Sequence, residues 1–225
     1  MHYLPYYLPF LPKSKKIRYY CYYQIGRSKG GARMINYLSN KFISICLEEK
    51  IIDVDSDIYK YGFESILSSY LCIAIVLFTG IFIKYKLIAF FYLLIFYFIR
   101  KYSGGYHCDS YLKCIIWTDF IFILSVIMID NLNYELLIPL CIVCSIFSIK
   151  KAPICHFNKP FTNSQRKIFK QKYCHIIYIL LSLGIISTFL YPLLSKLIFV
   201  IIIINAFLMK KGEQKNEKRI TKICG

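Results

Sequence analysis

Acidic residues are scarce in this 225-residue chain, which has 12 Asp and Glu against 29 Lys and Arg and a formal net charge of +17. Charged residues of both signs make up 18% of the chain, less than the quarter that is usual for a soluble domain. This low charge content argues against an ordinary soluble enzyme. Disorder is also excluded, because 57% of the residues are hydrophobic and disordered chains are poor in apolar residues.

Recognisable nucleotide-binding motifs, internal repeats and matching halves with Gly- or Pro-interrupted helices are all missing. Their absence argues against a transporter built from repeats and against a nucleotide-driven machine. A nucleic-acid partner is not expected either. Proteins that bind nucleic acid carry their cations on a soluble scaffold, whereas these cations are separated by long uncharged runs of Ile, Leu and Phe.

The chain is rich instead in uninterrupted apolar sequence. Six apolar segments can be recognised: Ile66–Ile83, Leu87–Ile99, Ile115–Ile129, Leu136–Ile149, Ile176–Tyr191 and Leu193–Met209. A straight span of a bilayer needs roughly 20 residues, so the second and fourth segments are short for a full crossing. We therefore predict an all-α, polytopic membrane helix bundle of about six segments, four of them full spans and two short or re-entrant.

The distribution of basic residues predicts the orientation of this bundle. The loops after the second and fourth segments and the tail after Met209 are rich in Lys and Arg, whereas the link 130–135 has two acidic residues and no basic one. Cytoplasmic loops carry such an excess of Lys and Arg. We expect a multi-pass protein of the cell membrane with both termini and the loop 100–114 in the cytoplasm. Lys84 and Lys86, which would face outside, do not fit this rule.

The N-terminal region differs from the rest. Residues 1–33 contain seven basic residues, no acidic residue and no helical or strand period. One hypothesis is a basic, disordered extension. The other is a mis-assigned start, because Lys29-Gly30-Gly31 can be encoded by a purine-rich ribosome-binding sequence at the usual distance before Met34. The resulting organisation is an extension over 1–33, a membrane domain over 34–209 and a basic cytoplasmic tail over 210–225.

An amphipathic helix is predicted from Ile35 to about Asp57. Apolar residues recur with helical spacing at Ile35, Leu38, Phe42 and either Ile45 or Cys46, and charged residues take other positions. Such a helix could lie on the membrane surface or pack as an ordinary cytoplasmic helix, and the pattern does not choose between the two.

The most polar stretch between two apolar segments runs from Arg100 to Cys114 and holds a Gly pair, a His and a Cys. A cysteine nucleophile acts as a thiolate, and an imidazole within reach can take its proton. If residues 107–114 formed one straight helix, His107 and Cys114 would be about 10 Å apart along its axis. Catalysis by this pair therefore requires the chain to turn back between them. The alternative is a basic loop without chemistry.

These residues resemble the signature of the AgrB family, membrane-embedded cysteine endopeptidases of Gram-positive quorum sensing. The family pattern is an Arg, then Gly-Gly-x-His, then a Cys seven residues after the His. In this sequence it is carried by Arg100, Gly104, Gly105, His107 and Cys114. Two further matches are Ala152-Pro153 through Asn158-Lys159-Pro160 and the Tyr61-Gly62 pair before the first apolar segment. The similarity covers roughly 34–209.

The resemblance implies a mechanism and a substrate. Cys114 would be the nucleophile and His107 its general base, with Arg100, Gly104 and Gly105 as supporting positions. The substrate would be an AgrD-like pro-peptide, from which the C-terminal part is cleaved before the remainder closes into a thiolactone or lactone ring. A homodimer is implied as well, and no cofactor. Two departures are Ser103, where the family often has Ala, and Cys108, a rival thiol directly after His107.

The sequence leaves two other interpretations. A non-enzymatic membrane transporter or peptide-export subunit would also explain the apolar segments. A zinc site built from the His and Cys residues at 107, 108, 114, 155, 156, 174 and 175 would need ligand spacings that are not found here, so no metal is expected. The pair Cys141 and Cys144 lies in an apolar run and is better explained as helix filler than as a redox site.

Overall fold

The structure is a computed structural model, and it describes residues 33–49, 56–106, 108, 110–154 and 161–224. Every regular element in these ranges is an α-helix. The helices are α1 (Arg33–Glu48), α2 (Ser56–Phe82), α3 (Lys86–Ser103), α4 (Tyr111–Asn131), α5 (Tyr134–Lys151), α6 (Asn163–Leu190) and α7 (Pro192–Cys224). The prediction of an all-α protein is confirmed. Residues 1–32, which hold nearly all of the predicted extension, lie outside the described residues.

The six predicted apolar segments fall in α2 to α7. Four helices are long and apolar enough to cross a membrane, over Gly62–Phe82, Tyr111–Asn131, Asn163–Leu190 and Pro192–Glu217. These correspond to the four predicted full spans. The two short segments are helices α3 and α5 of 18 residues each, about 27 Å long at 1.5 Å per residue. The division into four full spans and two shorter helices is therefore confirmed.

The chain divides into two compact units. The described part of the first unit comprises α1, the portion of α2 up to Ile75, and residues 108–119 without 109. The second comprises the chain from Val76 through residue 107 and from Phe120 onward. Helices α2 and α4 each contribute residues to both units.

Helix α1 ends at Glu48, earlier than predicted, and residues 50–55 lie outside the described residues. Its buried face consists of Ile35, Ser39, Ile43 and Cys46, so Ile35 and Cys46 agree with the prediction, whereas Ser39 and Ile43 were not expected there. Leu38, Phe42 and Ile45, which were predicted to form the apolar face with Ile35, remain exposed beside it. The Phe42 ring stacks on Phe63 with centroids 4.1 Å apart. The middle of this exposed stripe therefore lies beside the start of the α2 span, which begins at Gly62.

In the second unit, α7 is the central helix and packs against α3, α5 and α6. Of its most apolar stretch 72% is buried, against at most 33% for the corresponding stretches of the other three spans. The burial is nearly continuous from Leu197 to Met209, a run rich in β-branched Ile and Val. The outer faces of α3, α5 and α6 keep large apolar side chains exposed, as expected for helices in contact with lipid.

One end of the second unit is closed by short turns. The connection between α2 and α3 turns at Lys84, whose φ of 65° is left-handed. Tyr85 donates a hydrogen bond to Asp130 Oδ1 at 2.7 Å, which raises the pKa of the Tyr85 hydroxyl. Lys196 Nζ donates to the Ile129 carbonyl at 2.9 Å. Lys84 and Lys86, the misfits to the charge rule, thus share this end with an acidic residue.

A buried polar network ties α3, α6 and α7 together near the other end. Asn205 is fully buried in α7, where an unpaired amide would be costly. Its Oδ1 accepts from the Ser103 hydroxyl at 3.1 Å, and its Nδ2 donates to the Tyr173 hydroxyl at 3.1 Å and to Met209 sulfur at 3.4 Å. All polar atoms of the amide are therefore engaged.

Replacing Asn205 by Leu should destabilise the protein by about 1–2 kcal/mol, because Ser103 and Tyr173 then lose their buried partner. The measurement is the unfolding midpoint of the purified protein in detergent. Asn40→Leu, at an exposed position of α1, is the matched control and should leave the midpoint unchanged. Equal midpoints for the two variants would contradict the assignment.

Candidate active site

The Gly104-Gly105 pair forms a tight turn directly after α3. Gly104 has φ 67° and Gly105 has φ 113°, conformations that side-chain-bearing residues rarely adopt. The Arg100 guanidinium, one helical turn earlier, donates from Nη1 to the Gly104 carbonyl and from Nη2 to the Tyr106 carbonyl, both at 2.6 Å. Arg100 therefore closes the turn by holding two backbone oxygens at once.

The second family-like motif meets the first at this turn. Ile154, which follows the cis peptide bond Ala152–Pro153, donates its N–H to the Ser103 carbonyl at 2.9 Å and forms a parallel bridge with Gly104. A Cβ on Gly104 would run into the Ile154 carbonyl oxygen. Two motifs that are distant in sequence are thus parts of one structure. The following residues 155–160, which include Asn158-Lys159-Pro160, lie outside the described residues.

Helix α7 supports the turn from the other side. Tyr106 donates its N–H to the Leu208 carbonyl at 3.2 Å, and a Cβ on Gly105 would lie 3.3 Å from that oxygen. Gly212, one turn further along α7, is more tightly constrained, since its Cβ would lie 2.7 Å from the Gly105 Cα. The crossing therefore depends on the missing Cβ of Gly212, and a Cβ on Gly105 would be tight against α7 and would meet the Arg100 guanidinium at 2.7 Å.

Lysine side chains cover the aromatic rings beside this crossing. The ammonium groups of Lys211 and Lys215 lie 5.1 and 4.7 Å from the centroid of the Tyr106 ring. Those of Lys101 and Lys172 lie 5.6 and 5.8 Å from the Tyr102 ring. Cation–π contacts of this kind hold charges in place while leaving them accessible to an anion. The turn is thus flanked by a surface of fixed positive charge.

An ion pair joins α5 to α7 at the same end. Lys151 Nζ donates to Glu213 Oε1 at 2.8 Å, and this contact raises the pKa of the Lys151 ammonium. Lys151 is about half exposed and Glu213 is one-third exposed, so solvent screens the pair and it contributes little stability by itself. It does fix the position of α7 beyond Met209, next to the residues that support the turn.

Cys114, the predicted nucleophile, belongs to the first unit and lies in the first turn of α4. It is partly exposed. Its N–H donates to the Ser110 carbonyl at 3.1 Å, and its own carbonyl accepts from the Thr118 hydroxyl at 2.9 Å. Because α4 begins only at Tyr111, residues 107–114 do not form the continuous helix that would separate the two catalytic candidates by about 10 Å.

His107, the predicted general base, lies outside the described residues. Of the predicted site residues, the structure brings Arg100, Gly104 and Gly105 together in the second unit and places Cys114 in the first. Sequence reasoning missed Asn205 and Gly212, whereas Ile154 lies inside the predicted Ala-Pro motif. A polar Asn inside an Ile-rich run was the available signal for Asn205, whereas nothing in the local sequence distinguished Gly212.

The remaining thiols offer no second site among the residues described. Cys141 and Cys144 are both buried in α5, with Cys141 sulfur 3.9 Å from the Ser145 hydroxyl, which fits a packing role. In the described ranges no three His, Cys, Asp or Glu side chains are grouped as metal ligands would be.

The helices and this turn describe a multi-pass membrane protein in which Arg-x-x-x-Gly-Gly precedes a partly exposed cysteine at the start of a span. Comparison with known proteins identifies the class further. The family model of Accessory gene regulator B matches residues 32–209, and the chain belongs to this AgrB family.

Two curated relatives come from Clostridium perfringens. AgrB-like protein 2 of strain 13 / Type A is 29% identical over 145 residues, which cover 60% of this chain and 68% of the relative. An AgrB-like protein of strain SM101 / Type A is 28% identical over the same shares. Both names state only that the relatives are similar to AgrB. No solved structure matches this chain.

The crossing of Gly105 and Gly212 makes a prediction about stability. Gly212→Ala should destabilise the protein by about 1–3 kcal/mol, because its new Cβ would overlap the backbone of Gly105 and Tyr106 and α7 would have to shift. The measurement is the unfolding midpoint in detergent. Gly62→Ala, where a Cβ would meet no atom within 4 Å, is the control and should not lower the midpoint. A destabilised control with an unaffected Gly212→Ala would contradict the crossing.

The double contact of Arg100 makes a second prediction. Lys has one ammonium group and cannot hold two carbonyls in the way a guanidinium does. Arg100→Lys should therefore loosen residues 104–106 and speed amide exchange at Tyr106 about tenfold or more, as measured by hydrogen–deuterium exchange of the protein in detergent. Lys101→Arg, a change of cation at the neighbouring position, should leave this exchange unaltered. Unchanged exchange in Arg100→Lys would show that the turn does not depend on its guanidinium.

Proposed function

We propose that this protein is a membrane-embedded cysteine endopeptidase that cleaves an AgrD-like pro-peptide and promotes ring closure of the product. The observation that carries the proposal is the AgrB family match, because it spans Arg100, the Gly104-Gly105 pair, His107 and Cys114 at the spacing of the family's signature. Gly104 packs closely against the Ala-Pro loop and Gly105 against α7. This ordered packing supports a functional site rather than a basic loop without chemistry.

In the proposed reaction His107 takes the proton of the Cys114 thiol, and the thiolate attacks the carbonyl carbon of the scissile peptide bond. The bond to nitrogen breaks, the C-terminal part leaves as an amine after receiving the proton from His107, and the N-terminal part remains as a thioester on Cys114. The position of Cys114 in the first turn of α4 supports this role, since the positive end of a helix dipole favours developing negative charge there.

Ring closure follows from the thioester. A Cys or Ser side chain within the bound peptide attacks the acyl carbon, and Cys114 leaves as its free thiol. Exchange of one thioester for another is nearly isoenergetic, so hydrolysis is the competing reaction and water must be kept away. The location of Cys114 at the boundary of a span is consistent with that requirement.

The charge distribution supports a cytoplasmic site. The end of the second unit that carries the Gly-Gly turn is also the end with the most basic residues, namely Arg100, Lys101, Lys150, Lys151, Arg166, Lys167, Lys170, Lys172, Lys210, Lys211 and Lys215. The opposite end, which carries Asp130 and Glu135, has few basic residues. The rule that cytoplasmic loops are positive therefore orients the site inward. The lysines held on Tyr102 and Tyr106 would attract the acidic part of a pro-peptide.

The decisive variant is Cys114→Ser. It should lose all detectable cleavage of a co-expressed AgrD-like pro-peptide while still binding it, because only the nucleophile is changed. Cleavage is followed by mass spectrometry of membranes, and binding by co-purification.

Cys108→Ser is the matched control, as it removes the rival thiol next to His107, and it should cleave like the wild type. If Cys114→Ser still cleaves, or if the wild type moves intact peptide without cutting it, the protein acts as a transporter or export subunit and the peptidase proposal fails. Cross-linking of the purified protein at its native concentration tests the homodimer that family likeness implies.

A further inference from the structure

Helix α1 carries an exposed apolar stripe that the proposed reaction does not use. Leu38, Phe42 and Ile45 follow one another at intervals of four and three residues, so they lie on one side of the helix. Between 40 and 49% of each side chain is exposed, whereas the adjacent stripe, which includes Ile35 and Ile43, is buried. An apolar surface left exposed beside a buried one marks contact with a partner or a membrane.

The other side of α1 is mostly polar. Asn36, Asn40 and Ser44 recur at intervals of four residues opposite the stripe, and Asn40 and Ser44 are exposed. Tyr37 and Leu47 are large apolar side chains that are exposed outside the stripe. A helix with one apolar and one polar side can lie in the plane of a bilayer interface or pack as a cytoplasmic helix, so this pattern alone does not choose between the two.

The stacking of Phe42 on Phe63 places the stripe relative to the membrane. The two rings are nearly parallel, with an interplanar angle of 6° and centroids 4.1 Å apart. Phe63 is the second residue of the α2 span Gly62–Phe82, and both rings belong to the first unit. Because α1 is held at this residue, its stripe lies at the level where the span enters the bilayer.

The face of α2 that contacts Phe42 is exposed on either side of Phe63. Tyr59, Ile66 and Tyr70 lie within about 60° of Phe63 around the helix axis, at about 100° per residue. Between 47 and 68% of each of these three side chains is exposed. Inside a span such an apolar face is in contact with lipid, and tyrosine is enriched where a span meets the headgroups. The α1 stripe therefore continues a lipid-facing surface, which argues that phospholipid covers it.

We propose that α1 lies in the interface of the leaflet that α2 enters, with its stripe inserted among the upper acyl chains and with Asn40 and Ser44 in water. The partner of the stripe is thus phospholipid and not a second copy of the chain. Interfacial helices bury their apolar side about 5–10 Å into the boundary between headgroups and acyl chains. This contact goes beyond the proposed peptidase function and does not depend on it.

Tryptophan fluorescence of the full chain in phosphatidylcholine vesicles tests the proposal. Trp117 is the only tryptophan, so in a Trp117→Phe background a single new tryptophan reports its own surroundings. Leu38→Trp and Ile45→Trp place it on the stripe, and Asn40→Trp, on the opposite side, is the matched control. With bromine atoms on the upper acyl carbons of the lipid, both stripe variants should lose about half or more of their fluorescence and the control about a tenth or less.

A quencher dissolved in the water gives the converse measurement. Iodide should quench Asn40→Trp about threefold or more strongly than Leu38→Trp and Ile45→Trp, because the interfacial position shields only the stripe. Circular dichroism of Trp117→Phe checks that the background keeps its helical content. If it does not, the same three substitutions are made with Trp117 in place, and the fluorescence of the wild type is subtracted.

Two outcomes would overturn the interfacial position of α1. If Leu38→Trp and Ile45→Trp escape bromine quenching as Asn40→Trp does, the stripe is not in lipid. If their quenching instead rises when the protein-to-lipid ratio is lowered about tenfold, a second copy of the chain covers the stripe and is released by dilution. Contact with lipid requires the same quenching at both ratios.

Discussion

The close crossing of the Gly105 segment over helix α7 constrains most of what surrounds it. An N–H···O bond of 3.2 Å between Tyr106 and Leu208 requires the two backbones to touch, and no side chain can stand between them. The missing Cβ atoms of Gly105 and Gly212 make that approach possible. In the same turn, the Gly104 carbonyl accepts a hydrogen bond from Arg100, and the Gly104 backbone pairs with Ile154.

Both units bury polar side chains beside their membrane spans. In the second unit, Asn205 joins three helices through hydrogen bonds that no lipid could replace. In the first, the Glu64 carboxyl group is buried near the start of the α2 span. Apolar packing between helices in lipid gains little directionality, because lipid tails are as apolar as Leu. A few hydrogen bonds therefore define register where the hydrophobic effect does not.

Much of the fold could be predicted from the sequence, because apolar run length translates directly into helix length in a membrane. The six segments and the shortness of α3 and α5 follow from it. The face of α1 was predicted wrongly in part: Leu38, Phe42 and Ile45 share a helical stripe, but packing buries the adjacent stripe with Ser39 and Ile43. Periodicity shows which residues are alike, whereas the choice of buried face is made by the neighbouring element.

Only those residues of the candidate site that are neighbours in the sequence could be predicted. Arg100 and the two glycines are close in sequence, and family likeness pointed to them together. The contacts from Ile154 and from α7 come from residues about 50 and 100 positions away, and no local pattern reports such an approach. Family likeness implied a supporting position for Arg100 without saying how it acts, and its guanidinium is directed at the backbone of its own turn.

Helix α7 continues without a break from Pro192 to Cys224, so the basic tail predicted over 210–225 is, up to Cys224, an extension of the central helix. The similarity to the AgrB family ends at residue 209. Gly212, Lys211 and Lys215 lie beyond that limit, and yet they contact the Gly-Gly turn that carries the family's own signature. A boundary drawn by sequence likeness would thus cut through a folding unit. Domain exchange between relatives, or a shortened protein for crystallisation, should keep this last stretch of helix with the body it supports.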